Sequence, residues 1–476
     1  MARVLLIKCS NMTFYHRGLT FPMGIMSIAS VLRREGHEVR ILDLRLNQKN
    51  SGKDISMTME GFKPHLVGLS SITLEAPSLH FAASVIKNKA PVIPIIAGGP
   101  HPSSFPEEVL QDNHINCVVI GEGEATTLEL FNTLLDAGDL EKVKGIAYLR
   151  DEKVIFTPPR PPIDDLDALP FPSWDLVEIN KYKNWLTMSN MIFRKYMNLF
   201  TSRGCPYRCI YCHNIFGKQF HARSPENVIE EITTVISRYN INNFEVLDDI
   251  FNMDKERALR IYELILQKGL KISIAFPNGL RCDTIDEEHL RLMRNAGVNI
   301  VSVAVETASP RLQRIIRKNL NIRKVNEFIN GCFKFGIFTR GFLMMGFPTE
   351  TRQEILETIN FAINSRLHTA YFFLVVPFKG TELYRICNEK LKSVQMDFSH
   401  YSYVTSAFNL SEVSDEELFQ LHKYAYKKFY IDPMRIIRVV KYHPVKQSLP
   451  VNLMSVLKLA FRSRKDSPLL PKFLTN

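Results

Sequence analysis

Short apolar runs alternate with amphipathic stretches over the first 150 residues of the chain. Continuous apolar runs of this kind are typical of strands covered on both faces, and the amphipathic stretches are typical of the helices that cover them. The pattern predicts strands at residues 3–8, 38–44, 66–72, 92–99 and 116–121, and helices at 23–36, 79–89 and 124–138. The alternation therefore predicts an α/β domain over residues 1–150 with a doubly wound, flavodoxin-like (Rossmann-type) sheet, whose ligands bind at the carboxyl ends of the strands.

The pattern changes after this first domain. Residues 157–173 contain six prolines, which excludes a central strand or a helix interior, so residues 151–194 are interpreted as a Pro-rich linker that crosses between domains. Six strand–loop–helix units follow over residues 195–400, fewer than the eight of a closed barrel, and fit a partial, TIM-like (β/α)6 barrel. Residues 401–476 are rich in Lys and Tyr and are predicted to form a helical, basic C-terminal region.

The net charge of +11 lies mainly at the C-terminal end of the chain. Residues 435–476 contain nine Lys or Arg against one acid, Asp466, a net +8, and apolar residues alternate with the basic ones. This composition is typical of a surface that contacts anionic lipid, although a solvated tail has the same composition. No nucleic-acid recognition motif accompanies the basic residues, so no nucleic-acid partner is expected. No apolar run is long enough to span a membrane, and the expected location is cytoplasmic with peripheral membrane contact through this region.

Three of the eight cysteines lie in the run TSRGCPYRCIYCHN, at the spacing C-x3-C-x2-C. The other five are scattered, which is not the pattern of a disulfide framework and is consistent with a reducing cytoplasm. Four-iron clusters are normally held by four thiolates, so a loop that offers Cys205, Cys209 and Cys212 leaves one iron without a protein ligand. A structural zinc site with His213 or His221 as the fourth ligand is the alternative.

The cysteine spacing, with Tyr211 before the last cysteine, resembles the radical S-adenosylmethionine (SAM) family. The resemblance implies a [4Fe–4S] cluster on Cys205, Cys209 and Cys212 within a partial barrel. In that family the open iron chelates the amino and carboxylate groups of SAM. Electron transfer from the reduced cluster then cleaves SAM to methionine and a 5′-deoxyadenosyl radical, which abstracts hydrogen from an unactivated carbon. The resemblance also places Tyr211 beside the adenine of SAM.

Polar residues and glycines follow the predicted barrel strands, one group per unit, at the rim where α/β barrels bind their ligands. By the resemblance, Asp248 and Asp249 meet the SAM amino group, although the family usually has Gly-Gly-Glu there, and Glu306 suits the ribose. The glycine-rich stretch that contains Gly346 and Pro348 suits the adenine. The candidates for SAM binding are Tyr211, Asp248, Asp249, Arg281, Glu306, Gly346 and Pro348.

The first domain has glycine-rich loops at its predicted strand ends, where the backbone can approach a large ligand. No G-x-G-x-x-G follows the first strand, and the cobalt-ligating D-x-H-x-x-G is missing because His16 lacks both the Asp and the spacing. Joined to the barrel, the layout over about residues 3–400 resembles cobalamin-binding radical SAM proteins, a superfamily with magnesium-protoporphyrin ester cyclases, hopanoid-modifying enzymes and cobalamin-dependent methylases. The candidates for cobalamin contact are Ser70, Ser71, Gly98, Gly99, His101, Gly121, Glu122 and Gly123.

The resemblance implies an enzyme that modifies an unactivated carbon with a [4Fe–4S] cluster, SAM and cobalamin, and C-methylation is the leading interpretation. A cyclase, a ring-rearranging enzyme or an oxidative enzyme that acts on a lipid or tetrapyrrole is the first alternative, and a non-catalytic cobalamin or iron–sulfur sensor is the second. The expected partners are a small-molecule substrate, for which a hydrophobic and a purely soluble molecule both stay open, and an electron donor such as flavodoxin or ferredoxin. No catalytic side chain is assigned beyond the cofactor ligands.

Overall fold

The computed structural model of the chain describes residues 1–476 except 11–18, 184, 191–194, 214, 392–408 and 461–476. The chain divides into two compact units, Met1–Tyr182 and the portion from Lys183 onward, with the short piece Ile215–Gly217 grouped with the first. The change from one unit to the other falls inside residues 151–194, and the four-part division of the chain stays a prediction. His16 and the end of the basic tail lie outside the described residues.

A seven-stranded sheet forms the centre of the first unit. Its strands are β1 Arg3–Lys8, β2 Glu38–Asp43, β3 Leu66–Ser70, β4 Ile95–Gly98, β5 Cys117–Val119, β6 Ile146–Arg150 and β7 Lys153–Phe156. The order is β2-β1-β3-β4-β5-β6-β7, and the first five strands are parallel. This is the flavodoxin-like order, so the predicted fold of the first domain is confirmed.

The antiparallel pair β6–β7 was not predicted from the sequence. Its turn is made by Asp151 and Glu152, both of which have positive φ angles (47° and 62°). Two-residue hairpins of this geometry usually carry Asn-Gly or Asp-Gly, so the dipeptide Asp-Glu gives no recognisable turn motif.

The described residues of the first unit form seven helices. They are α1 Met23–Arg34, α2 Ser51–Phe62, α3 Ala76–Lys89, α4 Pro100–Ser104, α5 Pro106–Val109, α6 Gly123–Leu135 and α7 Ile179–Tyr182. Successive residues of β1 supply the two cores, since Leu5 and Ile7 pack with α2 and α3 while Val4 and Leu6 pack with α1 and α6. The sheet is therefore buried on both faces, as its continuous apolar strands predict.

The proline-rich segment packs against the first unit. The carbonyl of Pro158 accepts from the N–H of Gly145 (2.9 Å), and the N–H of Ile163 donates to the carboxylate of Glu122 (2.6 Å). Further along, Arg34 donates to the carbonyl of Ala168 (2.8 Å). The segment is extended, as its prolines require, but its hydrogen bonds fix it to the first sheet and its helices.

The second unit contains six parallel strands in sequential order. They are β8 Met197–Leu199, β11 Asn243–Val246, β12 Ser273–Phe276, β13 Val298–Glu306, β14 Phe338–Met345 and β15 Thr369–Leu374, and a small antiparallel pair, β9 Ser202–Arg203 with β10 His221–Ala222, follows the first of them. In the described sheet β8 and β15 are the edge strands. The predicted partial (β/α)6 barrel is confirmed.

Helices separate the strands and continue beyond them. They are α8 Pro225–Tyr239, α9 Lys255–Gln267, α10 Glu287–Asn295, α11 Pro310–Ile315, α12 Ile322–Lys334, α13 Arg352–Asn364 and α14 Glu382–Leu391, followed by α15 Asp415–Tyr430, α16 Pro433–Tyr442 and α17 Leu449–Ala460. The hydroxyl of Ser224 accepts from the N–H of Asn227 (3.1 Å) and caps α8, with Pro225 at the first position. Among the described residues no helix is long and apolar enough to cross a membrane.

Candidate active site

The cysteine loop leaves the first barrel strand and presents its thiols near the surface. Cys205 and Cys209 are half-buried, and Cys212 is exposed. The N–H of Cys212 donates to the carbonyl of Cys209 (3.1 Å), so the last two cysteines share one tight turn. Among the described residues no three His, Cys, Asp or Glu side chains converge on a single ion. A cluster does not require such convergence, since each thiolate binds a different iron atom.

The two histidines considered for a zinc site occupy different environments. His213 follows the last cysteine, where burial lowers the pKa of its ring. His221 lies in β10 and is buried, with its Nδ1 atom 3.2 Å from the carbonyl of Gln219. His221 thus belongs to the β9–β10 pair rather than to the cysteine loop.

The loop is held from behind by the turn that follows α11. The N–H of Ile210 donates to the carbonyl of Ile316 (3.2 Å), and the thiol of Cys209 lies 3.7 Å from the carbonyl of Arg317. On the other side the N–H of Leu383 donates to the carbonyl of Ile210 (2.8 Å). These contacts place the α11 turn directly against the cysteines.

Lys318 is a candidate site residue that the sequence did not reveal. Its ammonium lies 3.5 Å from the carboxylate of Glu306 at the end of β13, and both side chains are largely buried. Burial alone would lower the pKa of Lys318, but Glu306, Cys209 and Cys212 raise it. A cation is therefore fixed beside the cluster cysteines. In the sequence it belongs to an ordinary basic run, Arg317-Lys318, with no recognisable motif.

Gln313 explains why Glu306 and Lys318 meet. Its buried amide donates to the carbonyls of Val305 (2.9 Å) and Thr307 (2.6 Å), and its oxygen accepts from the N–H of Leu320 (3.0 Å). One side chain thus ties the end of β13 to the turn that carries Lys318. Glu306 itself has φ 64°, a conformation that costs energy in a non-glycine residue and is often found at functional sites.

The aromatic ring of the cysteine loop lies against the glycine-rich stretch after β14. The rings of Tyr211 and Phe347 are 5.8 Å apart, and burial next to the Glu306 carboxylate raises the pKa of Tyr211. Gly346 has φ 95°, which favours glycine, and Pro348 is half-buried. The structure therefore brings together Tyr211, Glu306, Gly346 and the cysteine loop, all predicted from the sequence.

Glu350 shapes this turn. One carboxylate oxygen accepts from the N–H groups of Gly346 (2.6 Å) and Phe347 (3.0 Å), while the other is buried without a hydrogen-bond partner. Burial raises the pKa of Glu350 to about 8; Glu354 also raises it, whereas the two N–H groups and Arg311 lower it. The side chain is thus largely protonated at neutral pH.

Glu350→Gln should make the free energy of unfolding fall less as the pH rises. The folded protein keeps a proton that the unfolded chain has released, so the stability contributed by Glu350 is complete below about pH 4.5 and is lost as the pH rises through about 8. We expect the variant to gain about 2–4 kcal/mol over the wild type between pH 5 and pH 8, measured by urea unfolding. Glu357→Gln, at an exposed position of the helix α13 that follows the turn, should show no such trend, and parallel pH profiles for Glu350→Gln and the wild type would contradict the burial effect.

Asp248 and Asp249 have different surroundings. The buried carboxylate of Asp248 accepts from the N–H of Thr201 (2.7 Å), its hydroxyl (2.5 Å) and the hydroxyl of Ser202 (2.7 Å). Burial nevertheless raises the pKa of Asp248, against the opposing effect of Arg257. Asp249 is exposed, and its carboxylate accepts from the N–H of Gly204, next to the first cysteine. Asp248 thus fixes the end of β8, and Asp249 is the acid that faces the loop.

Asp248→Asn and Asp249→Asn form a matched pair. In Asp248→Asn the new amide NH2 group would face the N–H and hydroxyl groups that now donate to the carboxylate. The variant should lower the free energy of unfolding by about 2–4 kcal/mol. Asp249→Asn should change it by less than about 0.5 kcal/mol, as is usual at the surface, and should weaken SAM binding instead. Chemical unfolding and equilibrium binding of SAM measure the two effects. Equal destabilisation by both variants would contradict the division of roles.

Arg281 supports the site rather than opening into it. Its guanidinium donates to the carbonyls of Lys318 (2.9 Å) and Asn319 (3.0 Å), forms an ion pair with Asp283 (2.7 Å) and lies 4.4 Å from the ring centre of Tyr207. The contacts shown by the structure orient the Lys318 turn, and direct contact of Arg281 with SAM stays a prediction.

In the first unit the predicted cobalamin residues meet along one edge of the sheet. Ser70 ends β3, Gly98 ends β4, and Gly121 follows β5. The N–H of Ser71 donates to the carbonyl of Gly98 (3.2 Å), and the N–H of Gly121 donates to the hydroxyl of Ser103 (3.1 Å). Three consecutive strand ends are therefore linked at the place where this fold binds ligands.

The same edge contains close backbone packing. Gly99 has φ 93°, and a Cβ atom there would lie 3.0 Å from the Ser70 hydroxyl, so a larger residue is excluded. The Ser71 hydroxyl is buried without a protein partner in the described structure, and nothing lies within 4 Å of a Cβ built on Gly121. His101 is buried and packs on Phe105.

The last two predicted cobalamin residues are held by packing and by the proline-rich segment. The carboxylate of Glu122 accepts from the Ile163 N–H described above, which ties that segment to the edge. A Cβ atom on Gly123 would lie 2.8 Å from the Cδ1 atom of Ile28, so this glycine lets α6 pack closely on α1. Both residues therefore have structural contacts, and their contact with cobalamin stays a prediction.

Two family models match the chain. The model of the radical SAM superfamily matches residues 199–362, and the model of the B12 binding domain matches residues 15–131. An uncharacterized methyltransferase of Pyrococcus horikoshii is 34% identical over 427 residues, which covers 89% of this chain and 90% of that protein. The chain belongs to the cobalamin-dependent radical SAM family. The family predicted from the cysteine motif and the domain order is therefore confirmed.

Other members of the cobalamin-dependent radical SAM family have different activities. Cytidylyl-2-hydroxyethylphosphonate methyltransferase of Streptomyces wedmorensis is 29% identical over 440 residues, 81% of each chain. Anaerobic magnesium-protoporphyrin IX monomethyl ester cyclase of Rubrivivax gelatinosus is 25% identical over 419 residues, 86% of this chain and 74% of that one. The solved structure of the methyltransferase TsrM from Kitasatospora setae, with cobalamin and a [4Fe–4S] cluster bound, shares the fold (TM-score 0.70, 18% identity, 83% and 76% coverage).

The residues of this radical SAM enzyme fit its three cofactors: a [4Fe–4S] cluster, SAM and cobalamin. Three thiols on one loop suit a cluster with one open iron. Lys318 and Glu306 offer opposite charges beside that loop, as a zwitterionic ligand with ribose hydroxyls requires. The buried Ser71 hydroxyl and the open space at Gly121 suit a large ligand at the edge of the first sheet.

Proposed function

We propose that this enzyme transfers a methyl group to an unactivated carbon of a small, largely apolar substrate bound on the inner face of the barrel sheet. Two observations support the proposal: the chain carries both the radical SAM and the B12-binding models, and its 34%-identical relative is described as a methyltransferase. When bound, the cluster and SAM supply a carbon-centred radical, and cobalamin supplies a methyl group.

The inner face of the sheet supports an apolar substrate. The register pairs Ala304 with Phe342 and Phe342 with Tyr371, so these side chains share one face. The opposite face of β15 packs on α15, where Phe372 contacts Tyr426. Phe342, Tyr371 and Phe373 remain only half-buried, and their ring centres are 5.6–6.0 Å apart. The aromatic face exposed inside the barrel suits a hydrophobic ligand.

Arg340 adds a polar group beneath these rings. It is buried, donates to the carbonyl of Met188 (2.9 Å) and lies 5.5 Å and 5.3 Å from the ring centres of Phe342 and Tyr371. Its Nε atom has no partner in the described structure, and neither has the hydroxyl of Ser302, paired with it in the register. The pocket thus offers two buried donors under an aromatic wall, which would fix the orientation of a substrate that carries an oxygen acceptor.

In the proposed site each side chain has a separate task. Lys318 binds the SAM carboxylate as a charge-assisted donor, Asp249 accepts from the SAM ammonium, and Glu306 accepts from the ribose hydroxyls. Tyr211 and the Gly346 turn flank the adenine, because an aromatic face and exposed backbone suit a planar heterocycle. The enclosing residues exclude water, which would otherwise compete for a reactive radical.

The electron donor is proposed to dock beside the cysteine loop. Arg208 is exposed next to Cys209, and its positive charge would steer an acidic protein toward the cluster edge. Arg317 is also exposed there, but it forms an ion pair with Glu382 (2.7 Å). A flavodoxin-like or ferredoxin-like donor has the required small size and one-electron chemistry.

The site described above would serve either methylation or ring formation. Ring formation is the alternative function, because one relative is a cyclase. The test is anaerobic turnover with methyl-labelled SAM, cobalamin, a reductant and fractionated apolar metabolites. Transfer of the label to carbon, together with 5′-deoxyadenosine, supports methylation. A substrate that loses hydrogen without gaining label supports the cyclase, and absence of 5′-deoxyadenosine in every fraction would indicate a sensor.

A further inference from the structure

Helix α16 buries Arg435 on the same side as two apolar residues and leaves a second set of large apolar residues exposed. Arg435, Val439 and Tyr442 face the barrel, where Val439 and Tyr442 pack against the small core of Ala275, Ile300 and Phe338. Phe338 begins β14, so the helix lies across the amino ends of the strands, away from the cysteine loop at their carboxyl ends. A surface helix normally turns its apolar residues to the core, whereas this helix packs one apolar set on the barrel and exposes another.

Arg435 fixes this orientation. Its side chain is 1% exposed and donates to the carbonyls of Leu367, Ile363 (2.6 Å) and Ser365 (3.3 Å), which end α13 and the loop after it. Its guanidinium also lies 3.7 Å from the ring centre of Phe429. These carbonyls accept from the two terminal nitrogens of the guanidinium, and its Nε atom lies 3.8 Å from the carboxylate of Asp432. Rotation of the helix would remove these partners and leave a buried charge unpaired.

The outward side of α16 presents a row of large apolar residues. Met434, Ile436, Ile437 and Val440 are 63%, 48%, 57% and 51% exposed, and Ile431 just before the helix is 53% exposed. We call these five residues the α16 surface. A contiguous apolar patch of this kind on one exposed helix marks an interaction site.

The charges around the α16 surface are almost entirely positive. Residues 423–454 contain seven Lys or Arg and a single acid. That acid, Asp432, caps α16 and lies 3.4 Å from Arg438, so its charge is used within the protein. Lys427, Lys428 and Lys441 are exposed near the apolar row. Apolar residues edged by lysines are the composition of helices that lie in the interface of an anionic bilayer.

We propose that the α16 surface is a membrane-docking site that places the helix flat in the headgroup region of a bilayer containing anionic lipid. The charge favours lipid over a second copy of the chain, because a symmetric dimer through this surface would bring the lysines of both copies together. Since α16 covers the amino ends of the strands, docking leaves the carboxyl-end site open to its substrate and its electron donor.

Vesicle binding tests the proposal without any enzymatic assay. The full-length protein should cosediment with vesicles of phosphatidylcholine and phosphatidylglycerol, much less with phosphatidylcholine alone, and binding should weaken as salt is added. The double variant Ile436→Ser/Ile437→Ser should bind the mixed vesicles about tenfold less tightly. The double variant Lys427→Gln/Lys441→Gln should also bind the mixed vesicles about tenfold less tightly, while its binding to phosphatidylcholine vesicles should not change.

The matched control is Met57→Ser/Val92→Ser, which removes two exposed apolar residues of the first unit (59% and 93% exposed) and should bind as the wild type does. All substituted residues are exposed, so unchanged melting temperatures confirm intact folding. Equal binding of the wild type and Ile436→Ser/Ile437→Ser to mixed vesicles would overturn the proposal. The proposal would also be overturned if the wild type bound no vesicles and formed a dimer in sedimentation velocity, while Ile436→Ser/Ile437→Ser was a monomer.

Discussion

Cys209→Ala should abolish both the iron–sulfur cluster and SAM cleavage while leaving the fold intact. The cluster already has one iron without a protein ligand, and loss of Cys209 would leave two of its four irons without one. The Cys209 thiol is half-buried and lies 3.7 Å from the carbonyl of Arg317, so its removal should cost little packing. Iron content, the visible absorbance of the cluster and 5′-deoxyadenosine formation under anaerobic conditions measure the loss.

Cys332→Ala is the matched control. Cys332 is fully buried in α12 and is not part of the cysteine loop. Its replacement should cost about 1 kcal/mol of stability and leave iron content and SAM cleavage unchanged. Retained SAM cleavage in Cys209→Ala would refute the assignment of the cluster.

Lys318→Met should weaken SAM binding about 10- to 100-fold, the expected loss when a charged hydrogen bond to a carboxylate is removed. Methionine keeps an unbranched apolar stem and removes the ammonium that lies beside Glu306 and the cysteines. Lys318→Arg should recover part of the affinity because it restores the charge with a different shape. Equilibrium binding of SAM to the cluster-loaded, unreduced enzyme measures the effect without turnover.

A structural role for Lys318 requires separate controls. Removing the cation leaves the carboxylate of Glu306 buried without its charge partner, which is destabilising by itself. The double variant Lys318→Met/Glu306→Gln removes both charges and should recover stability but not SAM affinity. Lys334→Met, at an exposed ion pair with Glu287, should change neither. Unchanged SAM affinity in Lys318→Met would exclude the proposed carboxylate contact.

Local patterns were sufficient for the strands of the two parallel sheets and for the cluster loop. The apolar strands and the spacing of Cys205, Cys209 and Cys212 are short-range features, and the structure confirms the sheets that they predict. Five parallel strands in the first unit and six in the second follow from periodicity alone. The sequence also placed Glu306 and Gly346 at strand ends, and the structure brings both near Tyr211.

Long-range contacts could not be predicted from the sequence. Lys318 becomes notable only because Gln313 folds its turn onto the end of β13, and nothing in the local run Arg317-Lys318 indicates this. Asp248 and Asp249 are neighbours with different environments. Successive side chains point to opposite sides of the chain there, so Asp248 is buried and Asp249 is exposed. Helix α16 has an apolar face that periodicity would bury, but the carbonyls that bind Arg435 come from α13 and the loop after it. In each case a tertiary partner decides the role.

Iron, inorganic sulfide and zinc in protein purified without oxygen test the central claim most directly. A cluster with one open corner predicts about four iron and four sulfide per chain, and an electron paramagnetic resonance signal of the reduced cluster that changes when SAM is added. Stoichiometric zinc without sulfide would contradict the claim, and so would a cluster whose electron paramagnetic resonance spectrum does not change when SAM is added.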